Sequence, residues 1–453
     1  MADFPLLRRL ATLTAALALA GCIGDNDDVL SAPAPAATNT ITVTPSLGRI
    51  SHARVVLRNA RTNQELQRQT LGTGGSIQFK IPESVDAIVV EVLGEAGGDY
   101  FDEAKGRKDL PADFIMRAAG QVSGDLNLGV TVLTEAAVQY AEKLPDALTK
   151  PANIEAALLK IGEAVGIADI NQPPTPVNSE ADFASLQDNP ADRYALKLAG
   201  LVKAASEKTA SPTPALELVK TLAKDLSDGQ LDGKAGSDPV ADPPYSPLPS
   251  VFAESWKFGM ENVLEHLPEG DLKDQFRTAV VDTTDVKEDT GNVVSGDTVF
   301  GGGDGKWKGE IYLLDVGIGQ LPDFTTLTPI GSLFTDIIDI SPRSFTDPFP
   351  GVPSDRFEWF GVRYQGPLTI REAGDYSFRT VSDDGSKLYV DDVLLVNHDG
   401  QHAPSSSATA TVSLAKGVHT LRIEYFQGPR TQIALQVFGN KVGNPEQLLR
   451  PVL

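Results

Sequence analysis

Hydrophobic positions follow two different periods along this chain. Between Ile41 and Val92 the apolar runs are short and rich in β-branched residues: Arg54–Leu57, Ser76–Ile81 and Ala87–Val92. Gly72, Gly74, Gly75 and Pro82 punctuate them, which predicts brief strands joined by turns. From Thr134 the spacing becomes helical. Asn153 is placed to cap a helix whose apolar face is Ile154, Ala157, Leu158, Ile161 and Val165. Pro190 opens a second, with Tyr194, Leu198, Leu201 and Val202 on one side, and Thr213-Pro214 opens a third before Leu218, Val219, Leu222 and Leu226. Between Trp307 and Phe438 the period falls to two. Tyr376, Phe378 and Thr380 alternate with Ser377 and Arg379; Leu421, Ile423 and Tyr425 alternate with Arg422 and Glu424; Ile433, Leu435 and Val437 alternate with Ala434 and Gln436. Each run has one apolar and one mostly polar face, the mark of a half-buried antiparallel strand.

These patterns predict a multidomain chain: an all-β N-terminal sandwich over 41–130, an α-helical middle over 131–232 and an all-β C-terminal sandwich over 307–440. The first suits a small antiparallel sandwich of the immunoglobulin or transthyretin type, and its expected job is that of a spacer. Residues 233–306 read as a linker with short helices: Pro, Ser and Asp dominate 233–250, a helical segment follows around Phe252–Leu267, and the stretch ends in Gly301-Gly302-Gly303-Asp304-Gly305. No Lys-Ser/Thr pair follows that glycine run, so it is a hinge and not a phosphate loop. Asp225 to Gly233 carries oxygen ligands near a glycine but lacks the spacing and closing Glu of a calcium loop, and reads as a helix end.

The first residues follow a separate logic. Arg8 and Arg9 precede a Leu- and Ala-rich run from Leu10 to Ala20, too short for a membrane span, which needs about 20 residues. That predicts a signal peptide over 1–21. Leu19-Ala20-Gly21-Cys22 resembles the bacterial lipobox, which implies lipidation of Cys22, the one cysteine in the chain. Ile23 at the next position implies the outer membrane, so the expected location is lipid-anchored there, on its periplasmic or surface face. Residues 22–40, acidic and then rich in Ala and Pro, read as a tether. A formal charge of −22 over 453 residues repels phosphate and excludes nucleic acid as a natural partner.

Several blocks of the C-terminal segment fall in a telling order: Trp307-Lys-Gly309-Glu310-Ile-Tyr312, Phe360-Gly-Val-Arg-Tyr364-Gln-Gly366, Ala373-Gly374-Asp-Tyr376-Ser-Phe378, Ser382-Asp383-Asp384-Gly385-Ser386, and Gly417-Val-His419-Thr-Leu421. Together they resemble the protective-antigen (PA-14) type domain family. Gly400-Gln401-His402 is similar to a motif of its fibro-slime relatives. The resemblance implies that Asp383 and Asp384, joined by a cis peptide, ligate one calcium ion. Calcium takes about six to eight oxygens at about 2.3–2.6 Å, more than two side chains supply. In the family a second loop adds an amide side chain and backbone carbonyls, here Gln427 and the carbonyls of Pro429 and Thr431, and the open positions accept sugar hydroxyls. Pro429-Arg430 stands where some sugar-binding members present an aromatic residue, leaving Arg430 as a donor to a sugar hydroxyl or carboxylate.

Other readings compete. Asp383-Asp384-Gly385 can be a plain solvated turn. His398, Asp399 and His402 suit zinc by type, but their loop placement favours packing over a metal site. At the level of the whole chain the expectation is a calcium-dependent, carbohydrate-binding surface lipoprotein of adhesin kind. The alternatives are a structural or protein-binding envelope protein without sugar affinity, and a glycan-active enzyme with the sandwich as accessory module. A glycosidase needs two opposed carboxylates in a cleft, and no segment outside the sandwich is an evident home for them.

Overall fold

The computed structural model describes residues 37–287, 307–346, 349, 352 and 357–453. The leader, Cys22 and the Gly301–Gly305 run lie outside the described residues.

The N-terminal region is built from strands, as its short β-branched runs predict. One sheet has the order Glu65–Thr70, Arg54–Asn59, Ala87–Leu93, Ile115–Gln121, and another the order Leu126–Val130, Thr38–Pro45, Ile77–Pro82. Alternation sets which side faces in: Phe79 and Ile81 are buried while Gln78 and Lys80 are exposed. The expectation of a purely antiparallel sandwich needs one correction. Thr38–Pro45 runs parallel to Leu126–Val130, with Ile41 opposite Leu126. A parallel pair demands a long connection between its strands, and most of the N-terminal region serves as that connection.

The helices begin largely where prolines and caps place them. Asn189 caps the Pro190–Lys208 helix by accepting the Asp192 N–H, and Pro214 opens Pro214–Asp225. Asn153 is not a cap. Its helix starts at Pro151, and the Asn153 amide instead donates to the carbonyls of Pro145 and Ala147 at 2.8 Å, tying down the preceding turn.

The stretch read as a linker is also more structured than expected. Pro249–Leu264 is a 16-residue helix packed on Pro190–Lys208. The two approach so closely that a Cβ on Gly259 would fall 2.1 Å from the Gly200 carbonyl oxygen, and the Trp256 indole N–H donates to the Lys197 carbonyl at 2.7 Å. Its Pro-rich lead-in is anchored by the Asp225 carboxylate, which accepts the N–H groups of Asp232 and Gly233 and the Tyr245 hydroxyl. One apolar core therefore runs from Ile41 through to Val286.

The C-terminal sandwich has a six-stranded sheet in the order Gly331–Thr335, Trp307–Leu313, Phe360–Ile370, Gly417–Gln427, Ser386–Val390, Val393–His398. Facing it are Asp339–Ser344, Gln432–Lys441 and Gly374–Asp383, the last flanked by Ser405–Ser406 and Ala410–Leu414. Trp307, Val362, Leu388, Ile423 and Tyr425 from the first sheet meet Tyr376, Phe378, Leu435 and Val437 from the second in a separate core, the inward positions that period two predicts. Lys416 lies 5.5 Å above the Phe258 ring, so this sandwich touches the Pro249–Leu264 helix.

Candidate functional site

Two chain crossings at one end of the sandwich create the site. Gly374–Asp383 belongs to one sheet and Ser386–Val390 to the other, so Asp384-Gly385 is the crossover between them. Gly417–Gln427 and Gln432–Lys441 are likewise in different sheets, and residues 428–431 cross back. Because Ser386 pairs with Tyr425 and Asp383 with Ala434, the two crossovers lie side by side.

The peptide between Asp383 and Asp384 is cis. Asp384 is 4% exposed, and its carboxylate is held from two sides: Oδ2 accepts the Gly428 N–H at 2.6 Å and Oδ1 accepts the His402 N–H at 3.0 Å. Asp383 is 1% exposed, yet neither of its carboxylate oxygens has a hydrogen-bond partner. A buried carboxylate with both oxygens unpartnered is a costly arrangement unless something positive completes it. Burial, reinforced by the neighbouring Asp384 charge, pushes the Asp383 carboxyl up to about 7. Burial also raises Asp384, and the two N–H donors oppose that rise.

Gln427 is fully buried beside them. The Tyr425 hydroxyl links the two loops, 2.6 Å from the Asp383 carbonyl oxygen and 2.7 Å from Oε1 of Gln427. On its other side the Gln427 amide lies 3.3 Å from the Pro429 carbonyl and 3.0 Å from the Gln432 carbonyl. Glycines keep the cradle open. A Cβ on Gly428 would stand 2.8 Å from Oδ2 of Asp384, and one on Gly385 would stand 2.5 Å from the Phe426 ring. This donor set suits a hard cation: carboxylate, amide and carbonyl oxygens with no thiol or imidazole.

The structure thus brings Asp383, Asp384, Gln427 and Pro429 together. Thr431 is in the same crossover, its N–H donating to the Pro429 carbonyl at 2.9 Å. Arg430 sits at the rim, its guanidinium 2.8 Å from the Glu358 carboxylate and more than half exposed. Tyr425, the Gly428 and His402 N–H groups and the Gln432 carbonyl were not singled out from the sequence. Only the Gly-x-His motif ending at His402 carried a signal. The His398 and His402 rings lie 4.1 Å apart, tilted by 42°, and each hydrogen-bonds within the 398–405 loop, while Asp399 is taken by Lys387 and by the Leu321 and Gly400 N–H groups. These residues brace the loop. Among the described residues, no three His, Cys, Asp or Glu side chains converge as a metal cluster.

Residues 351–447 match the family model of the PA14 domain. No curated protein matches the chain. Solved structures similar to it include a PA14 sugar-binding domain from an RTX adhesin, 18% identical over 32% of this chain and 95% of that one, with a TM-score of 0.28. The Epithelial Adhesin 9 A domain of Candida glabrata, solved with Galβ1-3GlcNAc, is 9% identical over 32% of this chain and 88% of that one, with a TM-score of 0.25. An anti-sigma factor domain-containing protein is 20% identical over 32% of this chain, which spans 46% of that protein's length, with a TM-score of 0.26. The PA14 match includes Asp383, Asp384 and the whole 427–431 crossover.

Proposed function

We propose that the PA14 domain binds a glycan through a calcium ion held by Asp383, Asp384, Gln427 and the carbonyls of the 429–432 loop. The observation that carries this reading is the Asp383 carboxylate, buried with both oxygens unpartnered beside a second carboxylate. The bound ion supplies open coordination positions that sugar hydroxyls can fill. The protein's part is to hold the donors in place and keep water from the inner oxygens.

Tyr425 and Gln427 tie the second crossover to the first. The Tyr425 hydroxyl stands within 2.7 Å of both the Asp383 carbonyl and Oε1 of Gln427, and Nε2 of Gln427 donates to the Pro429 and Gln432 carbonyls, so amide and carbonyl oxygens are fixed next to the Asp383 backbone. Arg430 at the rim is available to a sugar hydroxyl.

The wider role we propose is that of a surface lipoprotein of the outer membrane, tethered through Cys22 and displaying this domain as an adhesin or glycan-capture module. A glycan array read in calcium and again in chelator tests it. Calcium-dependent signals support the lectin reading, whereas a blank array with an intact calcium-induced rise in melting temperature leaves a metal-stabilised scaffold. Release of free sugar from a bound glycan would instead favour the enzyme reading.

A further inference from the structure

The loop that lends the His402 N–H to Asp384 also carries a side chain to the mouth of the site. Gln401 is exposed, and its Nε2 donates to the Ile318 carbonyl at 2.8 Å. A carbonyl only accepts, so this bond settles which end of the amide faces Ile318. Oε1 is left as a fixed acceptor, with no hydrogen-bond partner among the described residues.

Gly428 shows how near that amide lies to the metal donors. A Cβ on Gly428 would meet Oδ2 of Asp384 at 2.8 Å and Nε2 of Gln401 at 3.3 Å. Both side chains therefore border the space that this glycine leaves open. Ile318 is itself held. It closes a turn from Asp315 in which Gly317 takes a φ of 88°, and farther on the Leu321 N–H donates to Asp399 at 2.8 Å. An acceptor anchored at its far end loses little freedom on meeting a ligand. Arg430 at the rim can only donate, so the two side chains offer a sugar complementary chemistry.

Two adjacent hydroxyls on a calcium ion are gripped by their oxygens, which says little about the rest of the ring. Telling a third hydroxyl from its absence takes a protein group that bonds it. We propose that Gln401 is a specificity-determining residue of the glycan site, its Oε1 accepting the hydrogen of a third hydroxyl on the calcium-held ring. The domain then prefers a pyranose bearing that hydroxyl over its deoxy form. The inference rests on the calcium–glycan reading of the site, but Gln401 is not one of the metal donors.

The test is a cycle of protein and ligand changes, read by calorimetry on the full chain in saturating calcium. The probes are the methyl glycosides of mannose, galactose and fucose, and the monodeoxy forms of whichever binds. One monodeoxy form should bind the wild type about tenfold more weakly than its parent, the loss of one hydrogen bond. Gln401→Ala should bind the parent about tenfold more weakly and should no longer tell the two apart. Calcium affinity, titrated without sugar, should be unchanged in Gln401→Ala, because Asp399 still ties the loop to Leu321. In chelator, the Gln401 side-chain amide resonances should already be those of a fixed, hydrogen-bonded amide. The same deoxy penalties in wild type and variant, a calcium affinity that falls along with sugar affinity, or a freely rotating amide overturns the proposal. Any of these with calcium-dependent sugar binding intact in the wild type removes the role of Gln401 alone. Binding of none of the probes overturns it together with the glycan reading, and the calcium titration then shows whether the metal reading survives.

Discussion

Asp384 reaches from one crossover to the other, its Oδ2 accepting the Gly428 N–H at 2.6 Å. The bond is charge-assisted and almost wholly buried, so it fixes where the carboxylate points. The space is tight, because a Cβ at Gly428 would stand 2.8 Å from that oxygen. Gly428→Ala should therefore push the carboxylate aside and lower calcium affinity by about tenfold or more, the worth of one strong hydrogen bond to a charged group. Calorimetry with calcium measures this. An unchanged affinity would show that Asp384 does not need this anchor.

Asp383 sets the pH dependence of the site. Its folded-state pKa of about 7 lies above the ordinary carboxylate value. The stability it contributes is therefore complete below pH 4 and is lost as pH rises through 7. Without metal, the wild-type chain should lose melting temperature across that window, and Asp383→Asn should flatten the loss. Calcium displaces the proton, so affinity should climb with pH up to about 7 and then level off. Titrations at pH 6 in buffers of different ionisation enthalpy should reveal roughly one proton released per ion.

Much of this was legible from residue order. Period two located the strands around Tyr376, Leu421 and Ile433, and the blocks around Asp383 located the crossover. Gln427 was legible through the family resemblance, which implies an amide side chain in the loop after the strand ending near Tyr425. The helix Pro249–Leu264 was legible as a helical segment around Phe252–Leu267, but its packing was not, since a Pro- and Ser-rich lead-in looks like a linker until Asp225 is seen to bind its backbone. Tyr425 was hidden for another reason: it occupies an inward position of its strand and reads as core. Only the crossing of two loops turns its hydroxyl into a bridge. The His402 contribution is a backbone N–H, so the Gly-x-His motif marked the residue but not the donor.

The N-terminal half holds a titrating group of its own. Glu103 is 3% exposed; one oxygen accepts the Gly48 N–H at 2.9 Å and the other has no partner. Burial, with a smaller push from Asp102, raises it to about 8, while Lys203 pulls the other way. A raised folded-state value means its stabilising contribution holds below about pH 4.5 and disappears as pH climbs through 8. Glu103→Gln keeps the acceptor for Gly48 and removes the charge. At pH 9 the variant should be more stable than the wild type by on the order of 2–4 kcal/mol, with no difference at pH 4. Parallel thermal melts across that range measure it, and identical curves would show that the wild-type carboxylate finds solvent or a partner when ionised.

Tyr425→Phe isolates the amide-orienting hydroxyl. The ring is fully buried, stacked on Phe349 with centroids 5.2 Å apart and set edge-on to Phe360, so phenylalanine preserves the packing. What is lost is the bridge from the Asp383 carbonyl to Gln427. Leaving buried groups without their partner should cost about 1–3 kcal/mol of stability in chelator. The calcium effect should be separate and larger, because Oε1 of Gln427 loses the hydroxyl that orients it. Calcium affinity should fall by about tenfold, and the calcium-induced change in the Gln427 side-chain amide resonances should shrink. A variant with lower stability but full calcium affinity would assign Tyr425 to the core alone and leave Gln427 to orient itself.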